Sequence, residues 1–255
     1  MSTPVNAGLF NVTGRIACVT GASSGIGRAI AAALAHAGAR VVGLGRRAAA
    51  LEAWRAETGG ETTALAADLS DPGAMIEVAA RAAKPYGAPD ILINAAGVNN
   101  REAASDVTLE GWQATLDLNL STPFFLARAL VPAMQVKGWG RIINIASLQT
   151  TRAFPGGIAY GASKAGLGQL TRAMAEAWSR HGITANALAP GFFPTELTSP
   201  VFDNPDLAAR NAAQTCIGRN GVLSDLIGPA LFFCSPASDY VTGQVLFVDG
   251  GFTAK

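Results

Sequence analysis

Short apolar runs rich in β-branched residues alternate with longer alanine-rich segments along the chain. The apolar runs have the length of strands and the alanine-rich segments have the length of helices, with glycine, proline or aspartate at many junctions. The alternation predicts strands over 15–20, 40–44, 62–67, 90–94, 141–146, 183–189 and 245–248. It predicts helices over 26–37, 48–58, 71–86, 109–137, 158–180 and 224–234.

This alternation determines the expected fold class. Strands separated by helices indicate βαβ crossovers and a parallel sheet. Runs such as DILIN at 90–94 are apolar throughout, which is typical of a sheet covered on both faces. We therefore predict an α/β fold, a doubly wound parallel sheet of about seven strands with helices on both faces, as a single domain over 1–255. Residues 190–221 show weak periodicity and are expected to form a substrate loop.

Composition narrows the classes of function. Hydrophobic residues make up 49% of the 255 residues and charged residues 15%, which excludes a disordered chain and suggests buried subunit interfaces. A net charge of +1 predicts no nucleic-acid partner. No apolar run is long enough for a membrane span, and the N-terminus lacks the features of a signal peptide. Three widely spaced cysteines and two histidines favour a cytoplasmic protein without a metal site.

A glycine-rich segment follows the first predicted strand. It reads TGASSGIG at 20–27 and leads into a helix. Glycines here allow a sharp turn and the approach of a pyrophosphate to the free N–H groups of the helix N-terminus, as in Rossmann-like domains. A tight turn without a ligand is the alternative. GASSG also fits the nucleophile elbow of a hydrolase with Ser23 as nucleophile, but His36 and His181 are poorly placed to complete a triad.

The end of the second strand indicates the type of dinucleotide. An acidic residue there would bind the adenosine ribose of NAD. This chain has Arg46 and Arg47 instead. Because arginine binds phosphate through two hydrogen bonds, the pair predicts recognition of the 2′-phosphate of NADP(H). A solvated basic helix start is the alternative, which the helix dipole disfavours.

Ser147, Tyr160, Lys164 and Asn119 form the candidate catalytic group, and Asn94 is a nearby candidate for cofactor binding. Tyr160 and Lys164 are four residues apart on a predicted helix and so share one face. A nearby ammonium lowers the pKa of a phenol, which could then exchange a proton with an alcohol. Ser147 and Asn94 lie at strand ends, where open parallel sheets bind ligands. Asn119 occupies a helix interior, which is mildly unfavourable for asparagine and suggests a polar role.

Taken together, these segments resemble the short-chain dehydrogenase/reductase family over nearly the whole chain. The matching pieces are TGASSGIG (20–27), ADL (67–69), NAAG (94–97), Asn119, Ser147, YGASK (160–164), PGFFPT (190–195) and VDGG (248–251). Ala95 stands where the family usually has a second asparagine. The resemblance implies an NADP(H)-dependent oxidoreductase that interconverts a secondary alcohol and a ketone by hydride transfer.

The resemblance also implies a role for each matched residue. Tyr160 would be the acid/base, Lys164 would lower the tyrosine pKa and bind the nicotinamide ribose, and Ser147 would orient the substrate oxygen. Asn119 would hold a water that relays protons, and Asp68 would contact adenine. The residues expected to bind the cofactor are Gly21, Ser23, Ser24, Gly25, Ile26, Gly27, Arg46, Arg47, Asp68, Leu69, Asn94, Ala95, Gly97, Tyr160, Lys164, Pro190, Gly191 and Thr195.

The sequence leaves two classes of substrate open. NNREAA at 99–104 is similar to the sugar-acid branch of the family, the gluconate 5-dehydrogenase and 2-deoxygluconate 3-dehydrogenase type. Arg101 and Arg152 could bind a carboxylate, and Gln149 could bind hydroxyl groups. Phe192 and Phe193 instead favour a small hydrophobic or cyclic ketone. All five side chains are candidate substrate contacts.

Two further hypotheses concern function class and assembly. A non-catalytic dinucleotide-binding sensor is the alternative class, because fold does not determine function; the intact Ser147, Tyr160 and Lys164 argue against it. The segments 109–137 and 158–180 are rich in alanine and carry few charges. Family members usually pair these helices across subunits, so the resemblance implies a homotetramer, with a monomer as the alternative.

Overall fold

The computed structural model describes residues 8–255 of the chain. Seven strands form a sheet in which every neighbouring pair is parallel, in the order β3-β2-β1-β4-β5-β6-β7. The strands are β1 (Ile16–Thr20), β2 (Arg40–Gly45), β3 (Thr62–Ala66), β4 (Ile91–Asn94), β5 (Gly140–Ile145), β6 (Ile183–Pro190) and β7 (Val245–Val248). The predicted doubly wound α/β fold is confirmed.

Helices cover both faces of this sheet. They are α1 (Gly25–His36), α2 (Ala48–Thr58), α3 (Met75–Ala82), α4 (Leu109–Leu116), α5 (Thr122–Lys137), α6 (Ile158–Trp178), α7 (Ser199–Phe202), α8 (Pro205–Ala213) and α9 (Ile227–Cys234). Helices α3, α5 and α6 bury residues such as Leu126 against one face, and α1, α2 and α9 bury residues such as Trp54 against the other. Neighbouring strand residues alternate between these layers: Cys18 belongs to the first and Val19 to the second. Burial on both faces explains why the strands are apolar throughout.

The strand order creates a crevice at one edge of the sheet. The chain passes from β1 to β2 on one side and from β4 to β5 on the other. The connections that leave β1 and β4 therefore diverge, and open α/β sheets bind ligands outside the carboxyl ends of such strands. This topology places the segments after β1, β2, β4, β5 and β6 around a common crevice.

The long helix predicted over 109–137 is interrupted. A π-helical segment, Asp117–Ser121, separates α4 from α5. It ends two residues before Pro123, whose nitrogen has no hydrogen to donate to the carbonyl four residues earlier, that of Asn119. The interruption thus lies beside Pro123, whereas Pro132 lies within α5. Asn119 thus belongs to an irregular turn rather than to a regular helix.

Two other segments differ from their predicted form. The segment 190–221 contains a 3₁₀ turn, Glu196–Thr198, followed by α7 and α8, so about half of it is helical. Its helices are short and polar on much of their surface, which weakened the periodic signal. The helix predicted over 71–86 is reduced to a 3₁₀ turn, Pro72–Ala74, and α3. No helix within residues 8–255 has the length and apolarity required to cross a membrane.

Candidate active site

A cleft of about 620 Å³ lies at the carboxyl edge of the sheet. Residues that follow β1, β2, β3, β4, β5 and β6 line it. Of the site residues predicted from the sequence, all except Asn94, Asn119 and Arg152 contribute to its surface. The fold therefore brings the predicted cofactor and catalytic residues into one cavity.

The glycine-rich segment after β1 forms one end of this cleft. A Cβ atom on Gly27 would lie 2.5 Å from the carbonyl oxygen of Gly21, so the turn tolerates only glycine there. Gly25 has φ +55° and begins α1. Ser24, at the N-cap, does not cap the helix with its side chain, so N–H groups of the first turn are available to an anion. The cradle fits a pyrophosphate group.

The two arginines after β2 have different environments, which the sequence could not distinguish. Arg47 Nη1 and Nη2 donate to Glu196 Oε1 and Oε2 at 3.0 and 2.9 Å, and Nη2 also donates to Ser24 Oγ at 2.8 Å. Arg46 also lines the cleft, and its charge contributes to the lowered pKa of Asp68, after the hydrogen bonds from Ser70. The predicted phosphate-binding pair is thus one arginine engaged by a carboxylate and a second that faces the cleft.

Glu196 is the functional candidate that the sequence analysis missed. It follows Thr195 directly, so its place beside a matched motif was a signal. Its partner Arg47 is 149 positions away in the sequence, and no local pattern predicts that pairing. The hydrogen bond from Arg47 lowers the pKa of the Glu196 carboxyl group, which is therefore charged at neutral pH.

The candidate catalytic side chains meet at the other end of the cleft. Ser147 follows β5, and its Oγ accepts a hydrogen bond from the backbone N–H of Gln149 at 3.1 Å. Tyr160 and Lys164 lie on α6, with Lys164 Nζ 5.6 Å from the centre of the Tyr160 ring. Lys164 Nζ donates to the carbonyl oxygen of Ile145 at 2.7 Å. This contact fixes the ammonium against the end of β5.

The electrostatics of this group differ from the expectation that Lys164 lowers the pKa of Tyr160. Burial raises the pKa of the Tyr160 phenol, against the opposing effects of a hydrogen bond with Ser147 and of the charge on Arg101. Burial also lowers the pKa of Lys164 from 10.5 to about 8. The cation that favours the phenolate in this structure is therefore Arg101, and Tyr160 holds its proton at neutral pH.

Two predicted asparagines lie behind the cleft and serve the scaffold. Asn119 is fully buried; its Nδ2 donates to the Val98 carbonyl oxygen at 2.9 Å and to Ser163 Oγ at 3.0 Å, and its Oδ1 accepts from the Val98 N–H. Asn94 Nδ2 donates to Asn144 Oδ1 at 2.9 Å. Asn94 therefore links β4 to β5 and, unlike the other predicted cofactor-binding residues, does not contribute to the cleft surface. The relay water assigned to Asn119 stays a prediction.

The two candidate carboxylate ligands lie in different places. Arg101 lines the cleft, and its Nη2 donates to the Leu197 carbonyl oxygen at 3.0 Å. With φ +57°, it is the one non-glycine residue between 8 and 255 with a positive φ, a conformation that accompanies functional sites. Arg152 is exposed and lies over the Phe252 ring, 5.8 Å from its centre, outside the cleft. Stacking on an aromatic face explains why Arg152 does not reach the site.

The remaining substrate candidates form a mixed wall. Phe192 packs against Phe154 and Phe252, with ring centres 6.0 and 5.7 Å apart. Phe193 is buried at the same wall. Gln149 lines the cleft, and its Oε1 is buried without a hydrogen-bond partner among the described residues. The wall can therefore contact an apolar substrate surface.

The nucleophile-elbow alternative is not formed. Ser23 lines the cleft, where its Oγ accepts a hydrogen bond from Arg47 at 3.2 Å. The two candidate triad histidines, His36 and His181, are both exposed and contribute nothing to the cleft surface. Ser23 thus has no general base of the kind that a hydrolase requires.

Comparison with known proteins agrees with the geometry. A family model described as Enoyl-(Acyl carrier protein) reductase matches residues 21–253. The chain is 40% identical over 252 residues to gluconate 5-dehydrogenase of Gluconobacter oxydans, covering 97% of this chain and 98% of that protein. It is 40% identical over 255 residues to 2-dehydro-3-deoxy-D-gluconate 5-dehydrogenase of Bacillus subtilis, covering 96% and 97%.

Solved structures give the same result. The structure of a gluconate 5-dehydrogenase from Burkholderia cenocepacia, in complex with NADP and tartrate, is 37% identical and superposes with a TM-score of 0.91, covering 97% of this chain and 98% of that one. These similarities extend over nearly the whole sequence, and the matched region contains the glycine cradle, Ser147, Tyr160 and Lys164. The chain therefore belongs to the short-chain dehydrogenase/reductase family of oxidoreductases.

Proposed function

We propose that this protein is an NADP(H)-dependent oxidoreductase that interconverts a secondary alcohol of a small sugar acid and the corresponding ketone. The observation that carries the proposal is the composition of the cleft. A phosphate-binding cradle with Arg46 lies at one end, and Ser147, Tyr160, Lys164 and Arg101 lie at the other.

The cofactor is assigned from the first end of the cleft. The free N-terminus of α1 suits a pyrophosphate, and Arg46 suits the 2′-phosphate that distinguishes NADP from NAD. Asp68 and Leu69 line the same end and would contact adenine, and Pro190, Gly191 and Thr195 would contact the nicotinamide end. When bound, NADP(H) supplies or accepts the hydride. The related Burkholderia cenocepacia enzyme was solved with NADP, which supports this assignment.

Side chains on α6 and directly after β5 would transfer the proton that accompanies the hydride. Ser147 Oγ would hold the substrate oxygen beside the Tyr160 hydroxyl, since both side chains line this end of the cleft. Because burial raises the pKa of Tyr160, the phenol is protonated at neutral pH and is ready to donate to the oxygen of a ketone being reduced. Alcohol oxidation requires the phenolate and should therefore rise with pH. Lys164 would hold the nicotinamide ribose from its position against the Ile145 carbonyl group.

Arg101 is assigned to the substrate carboxylate. It is the guanidinium that lies within this end of the cleft and influences Tyr160. The names of the related enzymes specify sugar acids, and tartrate, a hydroxylated dicarboxylate, accompanies NADP in the Burkholderia cenocepacia structure. Reduction of a small hydrophobic or cyclic ketone is the second candidate, favoured by the apolar contacts of Phe154 and Phe192.

A substrate panel with matched arginine variants tests the proposal. Arg101→Ala should raise KM for a sugar-acid substrate about tenfold or more, because a charge-assisted contact is lost. Arg152→Ala is the control and should leave KM unchanged, since Arg152 lies outside the cleft. If Arg101→Ala also leaves KM unchanged, or if only uncharged ketones react, the carboxylate assignment is wrong.

Assembly and location complete the proposal. We propose a cytoplasmic homotetramer in which residues 190–221 form the substrate loop. The edge strand β7 leaves Leu246 39% exposed, and Val136 and Tyr240 are among the exposed large hydrophobic residues, which supports contacts between subunits. Cys18, Cys216 and Cys234 are free, as in reducing compartments. Light scattering that finds a single 26.0 kDa chain would contradict the tetramer.

A further inference from the structure

Three side chains connect the opposite walls of the cleft, and we refer to Ser24, Arg47 and Glu196 as the cleft bridge. Arg47 and Glu196 form two parallel hydrogen bonds of 3.0 and 2.9 Å. Ser24 Oγ donates to Glu196 Oε2 at 3.0 Å and accepts from Arg47 Nη2 at 2.8 Å. Every member therefore contacts the other two, and all three line the cleft.

The bridge joins segments that the fold keeps separate. Ser24 precedes α1 and Arg47 precedes α2, so both belong to the wall that would bind phosphates. Glu196 begins the 3₁₀ turn after β6, on the opposite wall. The Cβ position of Gly25 is 3.3 Å from the Thr195 side chain, so the two walls are already in contact beside the bridge.

The same turn is held at a second point. Arg101 Nη2 donates to the Leu197 carbonyl oxygen at 3.0 Å, from the wall that would bind substrate. The turn containing Glu196 and Leu197 is thus attached to the cofactor end of the cleft by one side chain and to the substrate end by another.

The attraction between Arg47 and Glu196 is weak enough for the bridge to open and close repeatedly. The two-fold hydrogen bond between guanidinium and carboxylate gives a defined geometry. The side chains of Arg47 and Glu196 are 51% and 63% exposed, so solvent screens their attraction and the bridge can open at modest cost. The lowered pKa of Glu196 keeps the carboxylate charged at neutral pH.

We propose that Glu196 is a positioning residue that retains the cofactor by fastening the turn after β6 across the cleft. This inference rests on the proposed dinucleotide-binding function. Opening the bridge separates the two walls and allows the dinucleotide to leave, and closing it slows that exit. Because the bridge joins the walls rather than reading the 2′-phosphate, it should act on NADPH and NADH alike.

Stopped-flow displacement of bound NADPH and NADH tests the proposal. Glu196→Gln keeps the shape of the side chain and removes its charge, and it should accelerate the release of both cofactors by about threefold to tenfold. In an Arg47→Gln background, Glu196→Gln should add little, because the ion pair is already absent. Asp225→Asn is the matched control; Asp225 forms a similar exposed pair with Arg219 outside the cleft and should not alter release.

The outcomes separate this inference from the function on which it rests. Failure of the wild-type protein to bind either cofactor would overturn the proposed function. Binding with release unchanged in Glu196→Gln would overturn the bridge alone. Tighter binding of NADPH only in Glu196→Gln would also overturn it, because Glu196 would then be a competitor of the 2′-phosphate for Arg47.

Discussion

Replacing Lys164 with methionine should remove most of the activity and also make the fold more stable at neutral pH. Lys164 is 5% exposed, and burial lowers its pKa from 10.5 to about 8. At ~1.4 kcal/mol for each pKa unit, this difference means that burying the charged ammonium costs about 3 kcal/mol. Methionine has a similar length without the charge, but it leaves the Ile145 carbonyl oxygen without its donor, a loss of about 1–2 kcal/mol. The net gain in the free energy of unfolding is about 1–2 kcal/mol.

The pH dependence of this gain has a definite sign. The unfolded chain holds the proton on Lys164 up to pH 10.5, whereas the folded protein releases it near pH 8. The wild-type penalty is therefore fully present below about pH 8 and disappears as the pH rises to 10.5. The stability difference between Lys164→Met and the wild type should shrink across that window.

Urea denaturation followed by circular dichroism, at neutral and alkaline pH and at one protein concentration, measures this difference. Lys84→Met replaces an exposed lysine and should change the stability by less than about 0.5 kcal/mol at either pH. Activity of Lys164→Met should fall by at least about 100-fold, since the variant could no longer hold the nicotinamide ribose beside Tyr160. A variant that is less stable than the wild type at neutral pH, by an amount that does not change with pH, would refute the reasoning.

Three further predictions concern the cofactor, the acid/base and the cradle. Arg46→Ala should weaken NADPH binding about tenfold and NADH binding by less than about twofold, measured by fluorescence titration; equal losses would contradict the 2′-phosphate assignment. Tyr160→Phe should still bind NADPH but lose about 100-fold to 10,000-fold in turnover, and substantial residual activity would exclude it as the acid/base. Gly27→Ala places a Cβ 2.5 Å from the Gly21 carbonyl oxygen and should lower stability by about 1–3 kcal/mol in thermal unfolding; Gly228→Ala, whose Cβ meets no atom within 4 Å, is its control.

Local spacing made much of the site predictable. Tyr160 and Lys164 are four residues apart, so helix geometry alone places them on one face of α6. The glycines of 20–27 belong to one continuous turn, and their spacing indicated the cradle before its contacts were visible. The parallel sheet followed from the alternation of strands and helices, and it placed Ser147 at the edge where ligands bind.

The chemical environment of those residues was not predictable in the same way. The pKa of Tyr160 is raised rather than lowered because burial of the phenol outweighs the effects of Ser147 and Arg101. Asn94 and Asn119 matched their motifs, yet the amide groups of both are bonded to the scaffold. The degree of burial depends on segments that meet only in the folded protein.

The sequence by itself determined the order of the elements, the parallel sheet and the edge of that sheet that carries the chemistry, because periodicity and motif spacing are local properties. Only the tertiary structure decided that Arg47 is engaged by Glu196 while Arg46 faces the cleft, and that Arg101 lies in the site while Arg152 stacks on Phe252. These outcomes depend on side chains as far as 149 positions apart in sequence, and on the solvent that their packing excludes. The spacing of residues along the chain shows neither which distant side chains meet in space nor how much water their packing excludes.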